Sequence, residues 1–163
     1  MSAVPGPASE VLLETHQAHF APMTPASLDA VMAIEQVAYA HPWTRGNFAD
    51  SLRAGYEGRL LLTSERLLGY YVAMKGVDEV HLLNITVAPD SQGQGLGACL
   101  LEALAAWSIG QGAQWLWLEV RASNEGAQRL YARQGYRRVG LRKGYYPAGP
   151  GRREDAIVMS RPL

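Results

Sequence analysis

The spacing of apolar positions along this chain changes several times, and each change marks an element. Leu28, Val31, Met32, Ile34, Glu35 and Ala38 recur every three or four residues, the period of a helix with one side buried. Thr24 can cap that helix and Pro25 suits its first turn. Thr44 caps a second, shorter helix that carries Phe48 and Leu52 and closes at Gly55. The period then shortens. "GRLLLTS" (58–64) and "LLGYYVAMKG" (67–76) read as strands joined by a tight turn, and "EVHLLNITV" (79–87), stopped by Pro89, reads as a third. Residues 95–109 return to helical spacing, with Leu96, Leu100, Leu101, Leu104 and Trp107 on one side and Gly110 and Gly112 as the stop. "AQWLWLEV" (113–120) is a strand and "SNEGAQRLYARQG" (123–135) a capped helix, and 136–141 and 156–159 are further strands.

Tight turns between the first three strands imply an antiparallel meander, and the two helical crossovers imply local parallel pairing. The expectation is a mixed α/β fold: a mostly antiparallel sheet with a local parallel pair, flanked by helices. One domain is expected over 21–163, behind a flexible N-terminal extension (1–20) that holds Pro5, Gly6 and Pro7.

Composition narrows the class. The 163 residues suffice for one core, and a hydrophobic content of 48% with a formal net charge of zero describes an ordinary globule. That balance argues against direct binding of nucleic acid, which draws on excess Lys and Arg. A basic cluster over 137–153 reads as solvated surface. The single cysteine, Cys99, excludes an intramolecular disulfide and a cysteine-rich metal site, and it sits among apolar helix residues, as a packing group does. The opening residues lack a basic and apolar leader, and no uncharged apolar run approaches the ~20 residues of a membrane span. The expectation is a cytoplasmic protein with no membrane partner and no metal.

The chemistry is expected where the third strand ends. Gly93, Gly95 and Gly97 precede a helix directly, although glycine costs helix stability. A nucleoside-triphosphate P-loop is excluded, since no Gly-Lys-Ser/Thr follows. Gly93-x-Gly95-x-x-Ala98 has the spacing of a dinucleotide fingerprint, with Glu119 near the place of a ribose-binding acid. That fold, however, wants the first glycine directly after the first strand, whereas here Ala88 to Gln92 intervene and three strands come before. A third reading uses the helix N-terminus as an anion cradle, with glycines letting a pyrophosphate lie on bare backbone. A glycine-rich turn without a ligand is the fourth.

The segment Gln92-Gly93-Gln94-Gly95-Leu96-Gly97 fits the Gln/Arg-x-x-Gly-x-Gly/Ala motif, and here the chain resembles the GNAT family of acetyl-coenzyme A-dependent N-acetyltransferases. "LWLEVRASN", "RLYARQGY", "GYYP" and "EDAIVM" resemble those members that acetylate the N-terminal alanine of small-subunit ribosomal protein number 18. The resemblance covers about Ala21 to Leu163. It implies acetyl-CoA as cosubstrate, a ribosomal protein N-terminus as acceptor, and direct attack in a ternary complex. Acetylation of a lysine, another N-terminus or a small-molecule amine is the alternative within enzymes, and a non-catalytic acyl-CoA-binding sensor the alternative outside them. It also implies that backbone groups of Ile85, Thr86 and Val87 pair with the pantetheine arm. Gly93, Gln94, Gly95, Leu96, Gly97 and Ala98 would hold the pyrophosphate, and Asn124 would touch the coenzyme.

Acetyl transfer needs a neutral amine. An α-amino group of pKa about 8 costs about 1 kcal/mol to neutralise at pH 7, against about 4.6 kcal/mol for a lysine at about 10.4, so a modest base suffices for an N-terminus. Glu119 interrupts an apolar strand, where burial would raise its basicity, and the resemblance makes it the catalytic base; an ordinary ion pair with Arg121 is the competing reading. The same context makes Tyr131 the acid that donates to the leaving thiolate, against simple packing on its helix. Tyr145 and Tyr146 line the acceptor entrance or pack, and His41 reads as a loop histidine.

Overall fold

The computed structural model describes residues 17–163, so positions 1–16 of the expected extension lie outside the described residues. The first element is one that the apolar period does not register, because it is only four residues long. Strand β1 (His19–Pro22) starts two residues before the expected domain boundary and runs antiparallel to β2 (Glu57–Leu62). A short 3-10 turn (Pro25–Ser27) leads into α1 (Leu28–Ala38), and α2 (Arg45–Arg53) follows. Thr44 caps α2 as expected: its Oγ1 accepts from Asn47 N at 3.1 Å, while its own N–H donates to Asn47 Oδ1 at 3.0 Å.

Strands β3 (Leu67–Lys75) and β4 (Glu79–Val87), helix α3 (Leu96–Gly110), strand β5 (Trp115–Arg121) and helix α4 (Glu125–Arg133) fall within two residues of expectation. Strands β6 (Arg137–Pro147) and β7 (Arg153–Pro162) run well past the expected 136–141 and 156–159. Much of β6 is exposed at the sheet's edge, so its polar positions carry no apolar alternation to mark it.

The seven strands of the described residues form one sheet in the order β1-β2-β3-β4-β5-β7-β6. Of the two crossovers, only the one through α3 joins parallel neighbours, β4 and β5. After α4 the chain passes the adjacent place, and β7 returns to fill it antiparallel to both β5 and β6.

Helices cover both faces. Leu100, Leu101 and Leu104 of α3, each 0% exposed, pack with Leu116 and Leu118 of β5 and Tyr71 of β3; each such leucine contributes about 1.5–3 kcal/mol by transfer from water. On the other face Leu28, Val31 and Phe48 pack with Tyr70 and Val72. Gly69 is required where β3 meets β4, since a Cβ there would lie 2.6 Å from the Thr86 carbonyl oxygen and 3.2 Å from Leu100 Cδ1.

Two irregularities in β4 position the site. Val72 pairs with Asn84 but Ala73 with Leu82, so Leu83 is an extra residue, a bulge that bends the strand. The parallel pairing also stops early. It runs from Glu79↔Trp115 to Leu82↔Leu118, after which β5 continues with β7 alone and β4 with β3 alone. The two strands diverge from Leu83 and Glu119 onward, leaving a wedge in the sheet's centre.

Candidate active site

The wedge opens into a cavity of about 1180 Å³, walled by β4 on one side, by β5 and α4 on the other, and by the start of α3 at its end. Leu68 O accepts from Ala88 N at 2.8 Å, which makes Leu68/Ala88 and Tyr70/Thr86 the hydrogen-bonding pairs of the β3–β4 ladder. Ile85 and Val87 therefore turn their N–H and C=O groups into the wedge, as expected of an interrupted edge. Thr86 departs from expectation, because its backbone faces β3 and only its hydroxyl is available on the wedge side.

At the end of β4 the glycines serve different needs. Gly93 (φ 78°) and Gly95 (φ 80°) take the left-handed conformation that glycine adopts at little cost, and a Cβ on either would meet nothing within 4 Å. Both therefore border open space. Gly97 has an ordinary φ but lies under α4, where a Cβ would sit 2.9 Å from Leu130 Cδ2. Gly95 is the N-cap of α3 and supplies no side-chain cap. The first hydrogen bond of the helix is Cys99 N to Gly95 O at 3.1 Å, so the N–H groups of Leu96, Gly97 and Ala98 are left without helical partners. Leu96 contributes this N–H only, its side chain being buried in the core. Gln94 does not line the cavity, whereas Gly93, Gly95 and Ala98 do. Across the gap Asn124 caps α4, its Oδ1 accepting from Ala127 N at 3.1 Å.

Glu119 stands where the strands part, its side chain 8% exposed. Its Oε2 is 2.5 Å from His81 Nε2, and its Oε1 is 3.6 Å from Arg142 Nε. The alternative partner, Arg121, is engaged elsewhere: its Nη1 donates to Glu154 Oε1 at 3.0 Å and to Pro147 O at 2.8 Å, and its guanidinium lies over the Tyr146 ring at 4.6 Å. Hydrogen bonds from Ser123 and Arg121 hold Glu154 below the usual carboxylate range.

Tyr131 projects from α4 into the same cavity. Burial raises its phenol well above the usual value, reinforced by Tyr39, Tyr136 and Tyr146 nearby. Its hydroxyl makes no hydrogen bond among the described residues. Tyr146 also lines the cavity, while Tyr145 packs edge-on against it at 4.9 Å. His41 is an exposed loop residue, as expected, yet it too reaches the cavity wall. Cys99 packs against the core, and burial raises its thiol.

Sequence reasoning passed over three contributors. His81 interrupts "EVHLLNITV" much as Glu119 interrupts "WLWLEV", and that parallel was the available signal. Glu35 was placed in the apolar stripe of α1. It is 1% exposed and accepts hydrogen bonds from Tyr70 Oη, from Asn84 Nδ2 at 3.1 Å and from Trp43 N at 3.1 Å, tying the α1–α2 loop to the bulged strand. Tyr39, just past α1, reaches across to the Ile85 carbonyl and to Thr86; no spacing rule marks such a contact. Among the described residues no group of three or more His, Cys, Asp and Glu could hold a metal ion, and no helix is long and apolar enough to cross a membrane.

Comparison with known proteins places this architecture. The profile of the acetyltransferase (GNAT) family matches residues 28–136, which span both walls of the wedge and the glycine turn. The [ribosomal protein bS18]-alanine N-acetyltransferase of Escherichia coli is 41% identical over 136 residues, 83% of this chain and 91% of its own. The Haemophilus influenzae protein of that name is 39% identical over 127 residues, 78% and 86% of the two chains. The crystal structure of the E. coli ribosomal-protein-S18-alanine N-acetyltransferase superposes with a TM-score of 0.83 at 38% identity, covering 90% of this chain and 94% of that one. Since the profile match takes in the wedge and its cradle and the relatives extend it over most of the chain, this protein belongs to the GNAT family of acetyltransferases.

Proposed function

We propose that this chain transfers an acetyl group from acetyl-CoA to the N-terminal α-amino group of a protein, and that the acceptor is the N-terminal alanine of ribosomal protein bS18. One observation carries the reading: the parallel strands separate at the residue before a buried carboxylate, in a cavity that ends on an uncapped, glycine-lined helix start. The acceptor is supported by the relatives, whose activity is on that alanine. Such an acceptor sets the enzyme in the cytoplasm, beside ribosomal proteins.

The residues fit the coenzyme. Three N–H groups without helical partners at the positive end of α3, with no Cβ in front of Gly93 and Gly95, suit a diphosphate. The outward backbone of Ile85 and Val87 suits the amides of the pantetheine arm, and Asn124 faces the same space. Bound there, the thioester supplies an activated acyl carbonyl.

The chain's own groups do the rest. Glu119 accepts the ammonium proton of the acceptor, directly or through a water, with His81 fixing the orientation of its carboxylate. The small cost of neutralising an α-amino group makes that base sufficient, whereas a lysine acceptor would need about 3 kcal/mol more. Tyr131 holds its hydrogen tightly, so it acts by donating a hydrogen bond to the developing thiolate and keeps its proton in doing so. Cys99 is packed in the helix and takes no part.

Mass spectrometry of peptides incubated with the protein and acetyl-CoA tests the reading. A peptide carrying the N-terminus of bS18 should gain one acetyl group. The same peptide blocked at its α-amine should gain none, even with its lysines free. Acetylation of the blocked peptide, or of none, would refute the assignment.

A further inference from the structure

Tyr39, Thr86 and Asn84 make more short oxygen contacts than they have hydrogens to fill. Tyr39 Oη lies 2.8 Å from the Ile85 carbonyl oxygen and 2.7 Å from Thr86 Oγ1, and Thr86 Oγ1 lies 2.8 Å from Asn84 Oδ1. A hydroxyl carries one hydrogen and a carbonyl or amide oxygen none, so these three contacts share two hydrogens. The neighbouring Tyr70 hydroxyl gives its own hydrogen to Glu35, so none is spare on that side. The amide hydrogens of Asn84 are directed at Glu35 as well.

With Tyr39 donating to Ile85 and Thr86 to Asn84, the Tyr39 and Thr86 oxygens face each other lone pair to lone pair. If Tyr39 turns its hydrogen to Thr86 instead, the chain Tyr39 to Thr86 to Asn84 is complete and the Ile85 carbonyl is released. A rotation about one C–O bond separates the two states, and in the second the Ile85 carbonyl, left facing the Tyr39 oxygen at 2.8 Å, is the group without a hydrogen. That carbonyl is one of those directed into the wedge, where no neighbouring strand provides an N–H.

We infer that Tyr39 is a displaceable plug on the Ile85 carbonyl, which it hands over to a secondary-amide N–H of the coenzyme arm by turning its hydrogen onto Thr86. The incoming amide brings the third hydrogen, so that the Ile85 carbonyl, Thr86 Oγ1 and Asn84 Oδ1 each accept one. Tyr39 and Thr86 are thus positioning residues, set apart from the catalytic groups, that sense an occupied arm site from the α1 side of the sheet. Desolvation pushes the Tyr39 phenol up to about 12, so its hydrogen stays in place across the neutral range. The inference rests on the coenzyme reading above.

Calorimetric titration of the folded protein with acetyl-CoA, and with ADP as a diphosphate lacking the arm, tests it. Thr86→Val keeps the shape but leaves Tyr39 nowhere else to turn, so acetyl-CoA should bind about three- to tenfold more weakly, the scale of one hydrogen bond, with ADP unchanged. Tyr39→Phe removes the plug and should bind acetyl-CoA as tightly as the parent chain or more so. The double variant should recover to within about twofold of Tyr39→Phe. Losses in both single variants that add in the double overturn the plug, as does any weakening by Tyr39→Phe beyond about twofold. If Thr86→Val does not fold, Tyr39→Phe decides by the same criterion. Failure of the parent chain to bind acetyl-CoA overturns the coenzyme reading and the plug with it; normal parent binding with additive losses overturns the plug alone.

Discussion

His81 Nε2 and Glu119 Oε2 lie 2.5 Å apart across the end of the parallel β4–β5 pair, His81 on β4 and Glu119 one residue past the last β4–β5 pairing. The contact fixes a carboxylate whose side chain is 8% exposed at the place where an amine would meet an acyl group. Glu119→Gln keeps the shape and removes the proposed base. Its kcat should fall at least tenfold, towards the ~10²–10⁴ range of general-base catalysis, with the acetyl-CoA Kd within about twofold of the parent. His81→Ala should lower kcat less, because it loosens the carboxylate without removing it. Steady-state kinetics with the bS18 peptide, paired with calorimetry, separate the two; equal losses would mean that His81 itself carries the proton.

Tyr131→Phe isolates one hydroxyl. That hydroxyl has no hydrogen-bond partner among the described residues, so its removal should leave Tm unchanged or slightly higher. Turnover should fall about tenfold to a hundredfold if it steadies the leaving sulfur. A variant with a lowered Tm and undiminished kcat would return Tyr131 to a packing role.

Gly95→Val places a branched side chain on a residue with φ 80° in front of the α3 N–H groups. Some destabilisation is expected, about 1–2 kcal/mol of left-handed strain. The larger effect should be a loss of acetyl-CoA and ADP binding of at least about a hundredfold, since branching fills the space of a phosphate and turns away its donors. Retained ADP binding in a folded variant would mean that the diphosphate lies elsewhere.

Gly69→Ala tests the packing behind the site. The added carbon would press on the Thr86 carbonyl, which is backbone and moves only with its strand. Overpacking of that kind costs about 1–3 kcal/mol, visible as a lower denaturation midpoint. The accompanying shift of β4 should weaken acetyl-CoA binding as well. An unchanged midpoint would show that β3 and β4 separate there easily.

Alkali should unfold the protein through its phenols, of which Tyr70, Tyr71, Tyr131 and Tyr136 are buried. Desolvation raises the pKa values of Tyr39 and Tyr71 to about 12, and those of Tyr70, Tyr131, Tyr136 and Tyr146 further. A folded-state pKa above the unfolded value means that the folded chain holds its protons longer, so the contribution to stability is complete below the unfolded value of about 10. It is lost as pH rises from there through the folded values. Urea midpoints measured from pH 8 to 12 should hold steady with respect to these groups until about 10 and then decline, with tyrosinate absorbance appearing together with unfolding.

Much of this was legible in the chain. The helical stripes, the β-branched meander and the glycine turn each follow from local periodicity, and local periodicity is what a sequence displays directly. Glu119 was visible as a charge inside an apolar strand. His81, its partner, had the same signature, but their meeting depends on the register of two strands separated by the whole of α3. Glu35 was hidden by its spacing, since a helical stripe reports burial without saying that a buried member is polar. The hydroxyl of Tyr39 spans 46 residues to Ile85, a relationship that only the folded sheet creates. The length of β6 escaped because an exposed edge strand needs no alternation.

The insertion of β7 between β5 and β6 has a bearing on when the molecule becomes competent. The strand that bears Glu119 borders β4 over four residues only, and its other flank stays open until 153–162 arrive. A nascent chain that has already emitted both helices of the α3–α4 region, the glycine turn and the tyrosine would still present a half-built centre. Assembly of the working enzyme is therefore gated by β7, which follows every other described strand of the sheet, and lesions there should silence it as thoroughly as lesions at the carboxylate.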